Sequence, residues 1–174
     1  KYGEDPVRWY LIKDIALGND GDFQNRRFVD IINNDLANTI GNLLNRSTSM
    51  SRKWFNDSVP DSIKTNEQFL IDLTKKTRSN YLNYFDNYKL DLASNEILNY
   101  ATKINLYLND NQPWTLIKDE INTHKVKQII YNVLEASRII SVLLKPILPF
   151  YSDKINKQLG VIYDKKQTWE SHLD

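Results

Sequence analysis

The stretch from Phe23 to Trp54 constrains the fold of this chain more than any other part of its sequence. It contains no proline and a single glycine, Gly41, while its apolar residues recur at the three- and four-residue spacing of a helix. We therefore predict one helix of about 30 residues. A helix of this length must bury its apolar stripe against other elements of the fold. No convincing alternating strand pattern occurs in the sequence, so these elements are predicted to be helices as well.

The remaining apolar patterns predict shorter helices separated by turn-forming residues. We predict a first helix over about 5–16, with Asp5 and Pro6 as its N-cap and first-turn residues, followed by a turn over 18–22. Further helices are predicted over about 66–88, 94–109, 123–144 and 151–159. Helices joined by short connections bury their apolar stripes best when they pack antiparallel. The predicted fold class is therefore all-α, an antiparallel bundle of about five helices.

Composition and charge exclude several classes of function. The 23 Lys and Arg residues nearly cancel the 22 Asp and Glu residues, so any nucleic-acid contact must be local. The lack of cysteine excludes disulfides, thiolate metal sites and cysteine nucleophiles, and it fits a cytoplasmic location. No apolar run approaches the ~20 residues of a membrane span, so we expect no membrane partner. His124 and His172 are too far apart in sequence to suggest a metal site, and we assign neither a metal nor a catalytic residue.

A polar stripe lies on the long predicted helix, opposite its core face. At about 100° per residue, Asn38, Asn42, Asn45 and Arg46 point within about 60° of one direction. The opposite side gathers the apolar residues Ile32, Leu36, Ile40, Leu43 and Leu44. An asparagine offers a donor and an acceptor together, and an arginine binds bidentately or stacks, so Asn42 and Arg46 can read a base edge. The alternative is a solvated face of a surface helix, which the stripe taken alone favours.

A second candidate element lies between two predicted helices and reads Gln112, Pro113, Trp114. Pro113 is expected to start the next helix, which places Trp114 in its first turn. An exposed tryptophan can stack on an unpaired base, and such stacking contributes about 1–3 kcal/mol per base. The alternative is that Trp114 fills the helix junction against Leu116 and Ile117. The residue pattern leaves both interpretations open.

Four segments in order carry a resemblance to a known family. They read DPVRWYLIKDIALGNDGDF at 5–23, NDLANTIGNLLNR at 34–46, NLYLNDNQPW at 105–114, and a stretch at 144–160 that contains KPILPF and KQLG. Together they resemble the anticodon-binding domain of methionyl-tRNA synthetases, which are class I aminoacyl-tRNA synthetases. The resemblance covers about residues 1–160.

The resemblance implies a helical bundle whose outer end binds the CAU anticodon loop of tRNA(Met). It carries the family's N-x-x-x-R pair over to Asn42 and Arg46, and its base-stacking tryptophan to Trp114, beside Pro113. Asn38 and Asn45 join the expected anticodon-binding residues because they share the polar stripe. The sequence departs from the family where some members carry an acidic residue that is thought to discourage wrong anticodons, because this chain has Asn109 there with Asp110 adjacent.

The resemblance also implies which part of an enzyme the chain represents. Residues 1–22 correspond to the end of the stem-contact linker, 23–160 to the helical anticodon-binding domain and 161–174 to a C-terminal tail. The HIGH-like and KMSKS-like motifs that handle ATP in the family do not occur. We therefore expect no cofactor in this fragment and no aminoacylation by it alone. ATP with magnesium is expected in the catalytic domain of the intact enzyme, and that domain is an expected partner beside the tRNA.

Two alternatives stand beside this interpretation. The first is the equivalent bundle of another class I synthetase, for example for leucine, isoleucine or valine, against which the Pro113–Trp114 element argues. The second is a helical protein-interaction domain with no RNA role, which a mixed surface charge would suit.

Overall fold

The computed structural model describes residues 2–15, 17–59 and 67–162, and every regular element within those ranges is helical. A π-helical segment, Ile32–Gly41, joins α2 to α3, and a 3-10 turn, Glu120–Asn122, precedes α7. The α-helices are α1 (Glu4–Asp14), α2 (Asn25–Ile31), α3 (Asn42–Phe55), α4 (Gln68–Asp86), α5 (Leu90–Asn111), α6 (Pro113–Leu116), α7 (Thr123–Leu144) and α8 (Pro149–Leu159).

The long predicted helix is present from Asn25 to Phe55, but its middle is wound as a π-helix. The backbone stays right-handed helical at both junctions, with φ of −62° at Ile31 and −64° at Asn42. Therefore α2, the π segment and α3 form one continuous rod. Its predicted core face is buried, and this face consists of Ile32, Leu36, Ile40, Leu43 and Leu44. The rod ends at Asn56, whose left-handed φ of 55° cannot continue a helix.

The central helices of the bundle are α5 and α7. Helix α5 packs against α1, α4 and α7, while α7 also packs against α3 and α8. Most residues of α7 are buried, as expected for a helix that is apolar on most of its surface. The predicted all-α antiparallel bundle is confirmed. The rod, α1, α4, α5, α7 and α8 make six long helices among the described residues, rather than about five.

Side chains of the N-terminal helix fix it to the π segment and to α8. Trp9 is completely buried, and its Nε1 donates to Asp35 Oδ2 at 2.9 Å, which ties α1 to the π segment. The prediction that Asp5 caps α1 is wrong, because the helix begins one residue earlier, after Gly3. Asp5 is instead buried, and its Oδ2 accepts the backbone N–H of Tyr151 at 2.7 Å. It thus caps α8, 146 residues further along the chain.

The other predicted boundaries agree with the structure to within about four residues. Helix α7 covers the predicted range 123–144, and α5 starts earlier than predicted, at Leu90. The predicted helix start at residue 66 lies outside the described residues, as do His172 and all of the predicted tail beyond residue 162. Across the described ranges, no helix has the length and apolar character that crossing a membrane requires.

Candidate nucleic-acid interface

The π-helical segment leads directly into α3, which carries Asn42 and Arg46. A π-helix pairs each N–H with the carbonyl five residues earlier, and such segments often occur at functional sites. Two carbonyls of this segment also accept side-chain hydrogen bonds from other helices. The Tyr151 hydroxyl of α8 donates to Leu36 O at 2.8 Å, and the Asn105 amide of α5 donates to Thr39 O at 3.2 Å. The segment is therefore held from both sides just before α3 begins.

Gly41, the last residue of the π segment, is required there for space. Its φ of −63° and ψ of −39° are ordinary helical values, so the position does not need the conformational freedom of glycine. A Cβ added to Gly41 would lie 2.8 Å from Leu36 O and 3.5 Å from the Tyr151 hydroxyl. Only a residue without a side chain therefore fits beside the Leu36 carbonyl in this geometry.

Tyr151 remains a hydrogen-bond donor under ordinary conditions. Burial raises the pKa of its hydroxyl to about 12, so the proton that bonds to Leu36 O is retained throughout the physiological range.

The structure brings Arg46 and Trp114 into contact, although 68 positions separate them in the sequence. The guanidinium carbon of Arg46 lies 5.4 Å from the centre of the Trp114 ring, within the range of a cation–π interaction. Arg46 Nη2 also donates to Asn109 Oδ1 at 2.8 Å. Two restraints therefore hold the guanidinium, one from α5 and one from α6.

Trp114 occupies the position at which a stacking platform was predicted. Gln112 has the left-handed values φ 42° and ψ 57° and ends α5, and Pro113 then starts α6, as predicted. The junction is filled by Leu116 and Ile117, which pack against a small buried cluster on α7. Trp114 remains 39% exposed. The indole is therefore available at the surface rather than serving as the plug of the junction.

The asparagines of the predicted stripe are exposed, and they do not all follow the same helical geometry. Asn42 and Asn45 lie in the first turn of α3, and Ser49 Oγ donates to Asn45 Oδ1 at 3.4 Å. Asn38 is also exposed but belongs to the π segment. The rotation of about 100° per residue that was used to align Asn38 with Asn42 is that of an α-helix and does not hold there.

Asn109 is the contact that reasoning from the residues alone did not find. Its side chain accepts from Arg46 across 63 positions of sequence, and no periodicity or local motif indicates such a pair. Only the resemblance drew attention to this position, as the place where an acidic residue is absent.

Helix α3 contributes only positive charge to this site, although the chain is nearly neutral. Helix α3 carries Arg46, Arg52 and Lys53 and no acidic residue. Arg52 lies 3.6 Å from Asp57, and both side chains are largely exposed, so this ion pair neutralises little in water. Within the described ranges, no three His, Asp or Glu side chains are grouped closely enough to hold a metal ion.

Comparison with known proteins shows the family of the chain. Residues 1–48 match the family model of class I tRNA synthetases (M), which indicates an aminoacyl-tRNA synthetase. Residues 59–174 match the model of the anticodon binding domain of methionyl tRNA ligase, and the chain belongs to that family.

Named relatives match nearly the whole of this chain, but they are much longer proteins. The methionine–tRNA ligase of Clostridium tetani is 39% identical over 172 residues, which are 98% of this chain and 26% of that protein. The methionine–tRNA ligase of Thermotoga maritima is 36% identical over 176 residues, which are 100% of this chain and 27% of that protein. A solved structure of Mycobacterium tuberculosis methionyl-tRNA synthetase with methionyl-adenylate has a TM-score of 0.89 at 29% identity, covering 97% of this chain and 34% of that one. The chain thus spans about a quarter of the curated relatives' length.

Proposed function

We propose that this chain reads the CAU anticodon loop of tRNA(Met) with the exposed end of its bundle. The observation that carries the proposal is the position of Arg46, 5.4 Å over the ring of a surface-exposed Trp114. A cation beside an exposed aromatic ring is suited to an unpaired base, which has a flat π-face and hydrogen-bonding edges.

In this proposal the residues divide the recognition between stacking and hydrogen bonding. Trp114 supplies the stacking surface, and Pro113, which is buried, fixes the backbone beside it. Arg46 and Asn42 supply donors and an acceptor to base edges, and Asn45 and Asn38 are further exposed amides of the same rod. Because α3 has no acidic residue, the loop phosphates near these bases meet no repulsion from that helix.

We further propose that the intact protein is a methionine–tRNA ligase, in which a separate catalytic domain uses ATP and magnesium. We assign no residue of this chain to ATP, magnesium or the aminoacyl transfer step. The catalytic domain and tRNA(Met) are then the two partners, and the cytoplasm is the expected location. Within the chain, the division into a linker at 1–22, a domain at 23–160 and a tail at 161–174 stays a prediction.

The test is a tryptophan fluorescence titration with an anticodon stem-loop of about 17 nucleotides, comparing CAU with a scrambled loop. We expect the signal to change selectively with CAU, and the change to disappear in Trp114→Ala, because base stacking alters indole emission. Trp114→Phe should retain much of the affinity, since it keeps an aromatic face. Trp54→Phe, on the same rod, is the matched control and should leave the CAU response in place. Equal responses to both loops in the unmodified chain would refute the proposal.

A further inference from the structure

A polar groove runs between α3 and α8. It encloses about 390 Å³ and is lined on α3 by Asn45, Ser49 and Arg52, and on α8 by Tyr151, Lys154 and Gln158. Leu44 and Ile155, both buried, contribute to its floor. The groove is therefore a shaped surface whose rim carries hydrogen-bonding and cationic groups.

The charge of the groove is positive, and none of its lining residues is acidic. Arg52 and Lys154 enter it from two different helices. The nearest acidic side chains are engaged elsewhere or exposed: Asp153 pairs with Lys145, and Asp57 lies 3.6 Å from Arg52 with 63% of its side chain exposed. Two cations therefore meet in this groove, with only the exposed Asp57 beside one of them, in a chain whose net charge is +1.

The groove adjoins the proposed base-reading site. Asn45 lines the groove, and the next residue, Arg46, contacts Trp114. Because these two residues are consecutive in an α-helix, they lie about 100° apart around its axis and about 1.5 Å apart along it. The groove and the base-reading site are therefore neighbouring surfaces of α3.

We propose that this groove is a second RNA contact, which holds a backbone phosphate of the strand whose base is read at Trp114. The proposal rests on the function proposed above and extends the interface to α8. Arg52 and Lys154 neutralise the phosphate, while Ser49 and Gln158 offer hydrogen-bond donors to its oxygens. Such contacts position the RNA and carry no sequence information. The groove therefore contributes affinity equally for every loop sequence, whereas Trp114 and Arg46 contribute discrimination.

The experiment measures how the affinity of the 174-residue chain for labelled stem-loops depends on salt, by fluorescence anisotropy between about 50 and 200 mM. The variant is Arg52→Gln with Lys154→Gln, and both side chains are exposed, so the fold should persist; a circular dichroism melt checks this. The matched control is Lys75→Gln with Lys76→Gln, which removes the same charge from exposed positions of α4.

We expect the groove variant to bind CAU and scrambled loops more weakly by the same factor, roughly fivefold per lost phosphate contact near 0.1 M salt. The negative slope of log affinity against log salt concentration should become shallower by about 0.7 per lost contact. The control should change neither quantity by a comparable amount. An unchanged slope in the groove variant, or an equal change in the control, would overturn the proposal.

A second measurement locates the contact on the RNA. Stem-loops carrying one neutral methylphosphonate at a time should lose affinity for the unmodified chain at one or two loop positions, and those positions should cause no further loss in the groove variant. Losses that are the same in both proteins would overturn the proposal. If the unmodified chain binds CAU and scrambled loops equally, the anticodon function fails while the salt slope still tests the groove. If it binds neither loop, both proposals fail.

Discussion

Replacing Gly41 by alanine tests whether the π-helical segment is a fixed part of this fold. In an ordinary helix interior this substitution stabilises by about 1 kcal/mol, because alanine has the higher helix propensity. The backbone of Gly41 is helical, so that gain applies here. Against it stands the contact of the new Cβ with Leu36 O at 2.8 Å, which is too close to persist without movement of the backbone.

The expected change in the free energy of unfolding is the difference between the costs and the gain of the substitution. Overpacking at a rigid site costs about 1–3 kcal/mol. Displacement of the Leu36 carbonyl also weakens its hydrogen bond from the Tyr151 hydroxyl, which contributes about 0.5–1.5 kcal/mol. Setting the propensity gain of about 1 kcal/mol against these costs leaves a net destabilisation of about 1–3 kcal/mol. For a chain of this size, the melting temperature should fall by roughly 2–12 °C.

The assay is urea denaturation of Gly41→Ala, Tyr151→Phe and the double variant. Because both single changes act on the Leu36 carbonyl, we expect their effects to be less than additive. Ala37→Gly, at an exposed position of the same segment, is the control and should cost about 1 kcal/mol through propensity alone. A Gly41→Ala chain that is as stable as the parent, or more stable, would show that the close approach to Leu36 does not constrain this segment.

Three further predictions concern the interior of the bundle. Asp5→Ala should destabilise by about 1–2 kcal/mol in urea denaturation, because α8 loses the carboxylate that accepts the Tyr151 N–H; an unchanged midpoint would contradict that role. Tyr107→Phe should cost about 1–3 kcal/mol, since the Glu67 Oε1 atom loses a donor now at 2.6 Å, and a neutral effect in the same assay would contradict it. Burial raises the pKa values of Tyr100 and Tyr151 to about 12, against about 10 in an unfolded chain. The folded state therefore keeps protons that the unfolded state releases, and stability should fall between pH 10 and 12 by up to about 1.4 kcal/mol per pH unit for each tyrosine. Denaturation midpoints with absorbance titration of tyrosinate measure this, and full ionisation near pH 10 in the native chain would refute it.

The elements that could be predicted from the sequence are those whose physical causes are local. The long rod follows from the apolar spacing between Phe23 and Trp54 and from the lack of proline. The start of α6 at Pro113 follows from the fixed φ of proline. Both predictions are confirmed because neighbouring residues alone determine them.

What could not be predicted depends on contacts between distant residues. Across the ten residues of the π segment, an apolar stripe with i+4 spacing is compatible with either type of helix. The choice depends on Gly41 and on donors from α5 and α8, which lie far away in sequence. The same holds for Asp5, whose partner is 146 residues away. Local patterns contain no information about such pairs.

The pairing of Arg46 with a neutral partner bears on how a nearly uncharged chain binds RNA. Asn109 Oδ1 positions the guanidinium through a hydrogen bond at 2.8 Å and brings no negative charge of its own. A carboxylate at the same place would form an ion pair and oppose the approach of phosphates. Arg52 and Lys154 line a groove that has no acidic lining residue, so cations of α3 and α8 are concentrated near this site. A net charge of +1 is then compatible with RNA binding, because what matters is the local field at the interface rather than the total charge.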